Sequence, residues 1–139
     1  MPRTLPQFDK RLIGVWSRGL VDASSPAPNA GADDVRILFG PNFSGRYETW
    51  FNGLNEVITF NWSPPAADRV TLAGIDYLYR TDGTVKREPC DWHFEAVPYA
   101  IADNAAVGDK RILKLHFGQR IDTFALMSET LAGFEKPKF

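Results

Sequence analysis

Apolar and polar side chains alternate along most of the chain, in short runs that turn residues separate. In one such run, Val35, Ile37 and Phe39 share one face and polar neighbours share the other. A repeat of two residues is typical of a strand that covers a core with one face. The runs cover residues 13–20, 35–39, 45–51, 56–62, 69–80, 91–99, 111–117 and 121–127. The pattern therefore predicts about eight β-strands and no long helix.

The residues between the runs predict the order of the strands. Asn52-Gly53 predicts a tight hairpin, because a type I′ turn needs positive φ at both central residues. Asp82-Gly83 and Gly118-Gln119 predict two further tight turns. The alternation of residues 69–80 slips near Gly74, which predicts a β-bulge there. Successive hairpins favour an antiparallel up-and-down β-barrel.

Two segments depart from the strand pattern. Residues 3–11 carry Leu5 and Phe8 three positions apart, which predicts a short helical turn before the first strand. Residues 22–34 contain small residues, two prolines and no large apolar side chain. This composition predicts a loop, and a loop of such length is often functional.

Length and composition predict a single all-β domain over residues 1–139. The chain has 139 residues, and 13% of them are aromatic, a content that suits half-buried strands. Its net charge of −1 arises from scattered charges without long runs, which disfavours nucleic-acid binding and a polybasic membrane surface. Without an apolar leader or a membrane-length apolar stretch, we expect no membrane insertion and a cytoplasmic location. The single cysteine, Cys90, excludes an internal disulfide and fits a reducing compartment.

Gly14-Val15-Trp16 matches the G-x-W motif of the first lipocalin strand. With a helical turn before it, a long loop after it and seven further strands, the chain resembles small bacterial lipocalin-like proteins of the calycin superfamily. The resemblance implies an eight-stranded barrel around a small apolar or amphipathic ligand, with residues 22–34 as a gate over the open end. Lipocalins also stack a late arginine over this tryptophan, and Arg111 and Arg120 are the candidates here.

The motif also has a physical interpretation of its own. A tryptophan at one end of a barrel seals that end and donates its indole N–H to a backbone carbonyl. Gly14 lacks a side chain, so another segment can approach it closely. We therefore expect Trp16 to close the barrel and Gly14 to contact a second strand.

Aromatic side chains on the predicted strands are the candidates for ligand contact. Their rings supply an apolar wall, and tyrosine hydroxyls can fix a polar end of a ligand. The alternative is that the rings fill the barrel, whose interior is just wide enough for side chains or one small ligand. The candidate ligand-binding residues are Tyr47, Phe51, Ile58, Phe60, Trp62, Tyr77, Tyr79, Trp92 and Phe94.

Metal and cofactor chemistry have little support. His93 and Glu95 share a strand face with Val97, and His116 lies on a later strand, but we interpret both histidines as hydrogen-bonded or solvent-facing. Phosphate-binding, dinucleotide-binding and hydrolase motifs are not found. We predict no metal, no cofactor and no dedicated catalytic residues, and we place Arg46 and Glu48 on a wet outer face.

Three functions remain open at this point. The first is binding of a small hydrophobic molecule inside the barrel. The second is protein interaction through the barrel rim, for instance as an immunity-type inhibitor, since Trp50 and Phe51 flank a turn at that rim. The third is a cyclase or isomerase that acts by positioning its substrate, with Tyr47, Tyr77, Glu48 or His93 as the polar groups. We interpret the chain as a binding protein rather than an enzyme.

Overall fold

The computed structural model describes residues 10–19, 34–64, 66–104 and 110–134. A 3-10 turn over Lys10–Leu12 precedes the first strand, and the rest of the predicted helical turn lies outside the described residues. The strands are β1 Gly14–Ser17, β2 Asp34–Phe39, β3 Ser44–Trp50, β4 Leu54–Ser63, β5 Arg69–Thr81, β6 Thr84–Pro89, β7 His93–Asn104, β8 Lys110–Phe117 and β9 Arg120–Ser128.

Eight of these strands close into an antiparallel up-and-down barrel, as predicted. Each strand pairs with its neighbour, and β1 pairs with both β2 and β9, which closes the ring. At the closure Trp16 lies opposite Leu126 on β9 and Ile37 on β2. We call the end with the β2–β3 turn the base, and the end with the β3–β4 and β8–β9 turns the mouth.

The ninth strand, β6, is not among the predicted strands. β5 is 13 residues long: its first part pairs with β7, and residues 76–81 pair with β6. All six residues of β6 are exposed, so its sequence has no buried face and no apolar alternation. Its Lys, Arg and Pro are typical of an edge strand that resists further pairing. We call the β5–β6 hairpin, residues 76–89, the flap.

The predicted bulge at Gly74 is confirmed and marks the start of the flap. Thr59 pairs with Asp76 whereas Phe60 pairs with Gly74, so Ile75 is the extra residue. The Gly74 amide donates to the Trp92 carbonyl at 2.5 Å, and a Cβ on Gly74 would lie 2.9 Å from that oxygen. Glycine is therefore required where β5 leaves β7 and continues into the flap.

A second bulge corrects the predicted faces of β7. Leu72 pairs with Phe94 but Val70 pairs with Val97, and Ala96 between them has φ 49°. The extra residue turns Val97 into the core together with Phe94. The prediction that Val97 shares a face with His93 and Glu95 was wrong, because simple alternation does not account for the bulge.

Trp16 closes the base as the sequence predicts. Its side chain is fully buried, and its indole N–H donates to the Leu12 carbonyl at 2.9 Å. Gly14 makes the expected close approach, since a Cβ there would lie 2.5 Å from the Ser128 carbonyl of β9. The G-x-W motif therefore brings the first and last strands of the barrel together.

Candidate functional site

Aromatic side chains fill the base of the barrel. The Phe39 ring lies 5.6 Å from Trp62 and 5.8 Å from Phe60, in edge-to-face geometry. These three rings and Trp16 are essentially buried. The Trp62 indole N–H is shared between the Gly40 and Ser44 carbonyls at 3.1 Å each. This end of the barrel is therefore a packed core, in which rings contact other rings.

The ring contacts continue from the core to the mouth, where the side chains become half-buried. Trp92 contacts Phe60 below it and Tyr47 across the barrel, at 5.9 Å each. Trp92 also lies 4.8 Å from Phe94, which lies 4.9 Å from Phe117. We call Tyr47, Trp92, Phe94 and Phe117 the aromatic wall. It offers a partly exposed apolar surface at the mouth.

A charged cluster borders the aromatic wall. Asp122 is 6% exposed, and its carboxylate lies 3.4 Å from Arg18 and 3.1 Å from Arg120. The guanidinium of Arg120 also lies over the Phe117 ring, 5.6 Å from its centroid. Burial raises the pKa of Tyr47, against the smaller opposite effect of Arg18. Tyr47 therefore stays a neutral hydrogen-bond donor and acceptor at physiological pH.

Beside this cluster lies a cavity of about 340 Å³. Its lining residues are Arg18, Gly19, Asp34, Val35, Thr49, Trp50 and Phe51. The Arg18 amide donates to the Val35 carbonyl, and Val35 pairs with Thr49, so these three residues form one row across β1, β2 and β3. The volume lies within the range of small-molecule sites.

Asp34 holds this side of the mouth together. It is 5% exposed, and its carboxylate accepts hydrogen bonds from the Ser17 hydroxyl and from the Gly19 and Val35 amides. Arg36 adds an ion pair at 2.9 Å. Asp34 thus ties the end of β1 to the start of β2. Residues 20–33, between these two strands, lie outside the described residues. They include all of the gate predicted over residues 22–34 except Asp34.

The flap extends one wall of the mouth. Tyr77 and Tyr79 stack at 5.0 Å and donate their hydroxyls to Glu56 and Glu88, respectively. In the register, Tyr77 lies opposite Ile58, and Ile58 lies opposite Tyr47. The same face of the sheet therefore runs from the aromatic wall onto the flap.

Burial raises the pKa of Tyr77 to about 12, and the hydrogen bond to Glu56 contributes. Glu56→Gln is expected to lower this pKa, because a neutral amide stabilises the protonated phenol less than a carboxylate does. Unfolded tyrosine ionises near pH 10, so the contribution of Tyr77 to stability is complete below pH 10. This contribution is lost as the pH rises from about 10 towards about 12. In Glu56→Gln the loss is complete at a lower pH, because the pKa of Tyr77 in the folded protein is lower.

Ultraviolet absorbance of phenolate, followed through an alkaline titration, measures this shift. Glu95→Gln is the matched control, because exposed Glu95 bonds exposed His93 rather than a tyrosine hydroxyl. An unchanged Tyr77 titration in Glu56→Gln contradicts the assignment of the hydrogen bond.

The nine predicted ligand contacts fall into three places. Phe60 and Trp62 lie in the packed core, and Phe51 is 61% exposed on the β3–β4 turn at the rim. The remaining six lie along the inward face at the mouth and flap: Tyr47, Ile58, Tyr77, Tyr79, Trp92 and Phe94. Their contact with a ligand stays a prediction.

Sequence reasoning did not place Arg18, Phe117 and Asp122 at the mouth. Arg18 follows Trp16 by two positions, and Asp122 precedes buried Phe124 by two positions. The same alternation that places Trp16 and Phe124 inside therefore places these charged side chains inside. Their polarity alone suggests an outer face, which explains why they were missed.

Arg46 and Glu48 lie on the outer face of β3, but they are not wet as predicted. Glu48 is 2% exposed and accepts hydrogen bonds from Arg46 at 2.6 Å and from the Trp50 indole at 3.0 Å. Arg46 also donates to the Phe134 carbonyl, so the C-terminal segment reaches this face. The Glu48 carboxylate is fully engaged in structural contacts.

The four polar groups considered for catalysis do not form one site. Tyr47 lies at the mouth, Glu48 on the outer face, and Tyr77 on the flap. His93 is exposed and bonds Glu95 at 3.0 Å. The described residues hold no group of three His, Cys, Asp or Glu side chains able to bind a metal ion.

Neither Arg111 nor Arg120 stacks over Trp16, although the resemblance to lipocalins predicts that one of them does. Arg120 lies over Phe117, and Arg111 pairs with Asp103 at 3.7 Å.

Comparison of the chain with protein-family models, curated proteins and solved structures finds no match. Within the described residues, no helix has the length and apolarity needed to cross a membrane.

Proposed function

We propose that this protein binds a small apolar or amphipathic molecule at the mouth of the barrel, in the manner of a lipocalin-like carrier. The observation that carries the proposal is the half-buried aromatic wall beside a cavity of about 340 Å³. Exposed ring faces in a concave site stabilise an apolar ligand by removing its surface from water.

The packed base sets the depth of binding. Phe39, Phe60 and Trp62 occupy the lower interior, so the ligand lies above them against the aromatic wall. Residues 22–34 connect β1 to β2 at this same end and are proposed to cover the ligand.

The proposal is tested with N-phenyl-1-naphthylamine, a neutral dye that fluoresces in apolar sites. Thr49→Trp adds a large ring to the row that lines the cavity, and we expect at least about tenfold weaker dye binding, equivalent to ~1.4 kcal/mol. Thr123→Trp is the matched control, since Thr123 on β9 pairs with exposed Lys114 on β8 and lines no part of the cavity. Thermal unfolding of both variants verifies that they fold.

Native mass spectrometry of freshly purified protein supplies the second measurement. The proposal is supported if a small molecule co-purifies with the wild type but not with Thr49→Trp. Equal dye affinity in wild type, Thr49→Trp and Thr123→Trp contradicts it.

A further inference from the structure

Among the residues that the structure describes, the charges at the mouth are not balanced. Two guanidinium groups, Arg18 and Arg120, share the single carboxylate of Asp122. Asp122 is almost completely buried, whereas Arg18 and Arg120 are 39% and 68% exposed. Each guanidinium has five N–H donors, and a carboxylate oxygen occupies only a fraction of them. The cluster therefore presents free donors and one excess positive charge to the mouth.

The neighbouring carboxylates of the described residues do not cancel this excess. Asp34 is saturated by its backbone and hydroxyl donors and carries its own ion pair with Arg36. Glu56 is exposed and accepts the hydroxyl of Tyr77 on the flap. Water screens an exposed carboxylate strongly, so its effect on the mouth is small.

Both cations border the aromatic wall. Arg120 lies over the Phe117 ring, and Arg18 is near enough to Tyr47 to affect its pKa. A ligand that pairs with Arg18 therefore has an apolar surface beside its charged group. Arginine suits oxyanions in particular, because its fork of donors pairs with two oxygens of a planar carboxylate or of a tetrahedral sulfonate.

The shape of the site limits the rest of the ligand. The base is filled by buried rings, so an extended alkyl chain finds no passage below the wall. The wall itself presents rings in tilted and edge-to-face contacts, and aromatic groups pack well against such surfaces.

Building on the proposed function, we infer that the ligand is a compact aromatic monoanion. Its acidic group pairs with Arg18 and Arg120, and its ring packs on Tyr47, Trp92, Phe94 and Phe117. Asp122 holds the two arginines at the mouth, and one negative charge on the ligand balances the single excess positive charge of the cluster.

Two dyes with the same arylamine skeleton separate charge from shape. 1-Anilinonaphthalene-8-sulfonate carries a sulfonate, and N-phenyl-1-naphthylamine is its neutral counterpart. We expect wild-type protein to bind the sulfonate dye more tightly, and added sodium chloride to weaken that binding selectively. Arg18→Met is expected to lower the ratio of sulfonate-dye to neutral-dye affinity at least about tenfold, the ~1.4 kcal/mol range of a charge-assisted contact.

Arg69→Met is the matched control, because Arg69 is a half-exposed arginine at the base end of β5, beside Asp68. It is expected to leave the ratio unchanged. Should Arg18→Met fail to fold, Arg18→Lys keeps the charge without the fork of donors and is expected to give an intermediate ratio. The effect of salt on binding of the sulfonate dye is measured on the wild type, so this part of the test stands even if no variant folds.

Failure of this inference differs from failure of the proposed function. Equal affinity for the two dyes, or an unchanged ratio in Arg18→Met, overturns the anionic ligand and leaves small-molecule binding standing. Stoichiometric binding of palmitate more tightly than the sulfonate dye overturns the compact shape. Absence of binding by both dyes overturns the proposed function itself.

Discussion

Asp34→Ala is expected to lower the free energy of unfolding by about 3–5 kcal/mol, as the loss of one partner from a buried ion pair does. The substitution removes the Asp34 acceptor from the Gly19 and Val35 amides and from the Ser17 hydroxyl, and it removes the carboxylate that pairs with Arg36. Each buried donor without a partner carries a desolvation cost. Urea unfolding followed by tryptophan fluorescence measures the loss.

Two variants calibrate this result. Asp68→Ala removes an exposed carboxylate that lies 3.7 Å from Arg69, and such surface pairs contribute less than about 1 kcal/mol. Asp34→Asn keeps an acceptor oxygen but loses the charge, so we expect an intermediate loss. If Asp34→Ala and Asp68→Ala destabilise equally, the interpretation of Asp34 as the tie between β1 and β2 is wrong.

The strand order and the barrel could be predicted because hairpin turns and alternation are local signals. Asn52 and Gly53 have φ of 52° and 104°, and Asp82 and Gly83 have φ of 51° and 76°, as the turn chemistry predicts. β6 escaped prediction because the alternation signal reports a buried face, and an exposed edge strand has none. The bulge at Ala96 also escaped, since alanine has no turn preference that marks it.

The candidate site was harder to predict than the fold. Most of the predicted aromatic residues lie on the inward face of the barrel, but sequence alone does not show how far down the barrel each ring lies. Phe60 and Phe94 are therefore equivalent in the pattern, although Phe60 is buried in the core and Phe94 reaches the mouth. Strand tilt in a barrel produces this difference, and it depends on the register of all eight strands together.

Gly14→Ala is expected to destabilise the protein by about 4 kcal/mol, because two costs act at one position. Gly14 has φ 146°, a conformation that costs a residue with a Cβ ~1–3 kcal/mol. Its Cβ would also lie 2.5 Å from the Ser128 carbonyl and 3.1 Å from Leu126, and overpacking of this kind costs ~1–3 kcal/mol. The clash falls where β1 and β9 close the barrel.

Gly118→Ala separates the two costs. Gly118 has φ 63°, but a Cβ there has no neighbour within 4 Å, so only the conformational cost of ~1 kcal/mol remains. The difference between the two variants in urea unfolding measures the cost of the close approach together with the difference between their two conformational costs. Equal losses in both variants contradict a tight β1–β9 contact at Gly14. A larger loss in Gly14→Ala supports a close approach of β1 and β9 that favours glycine two residues before Trp16, which gives the G-x-W motif a physical cause.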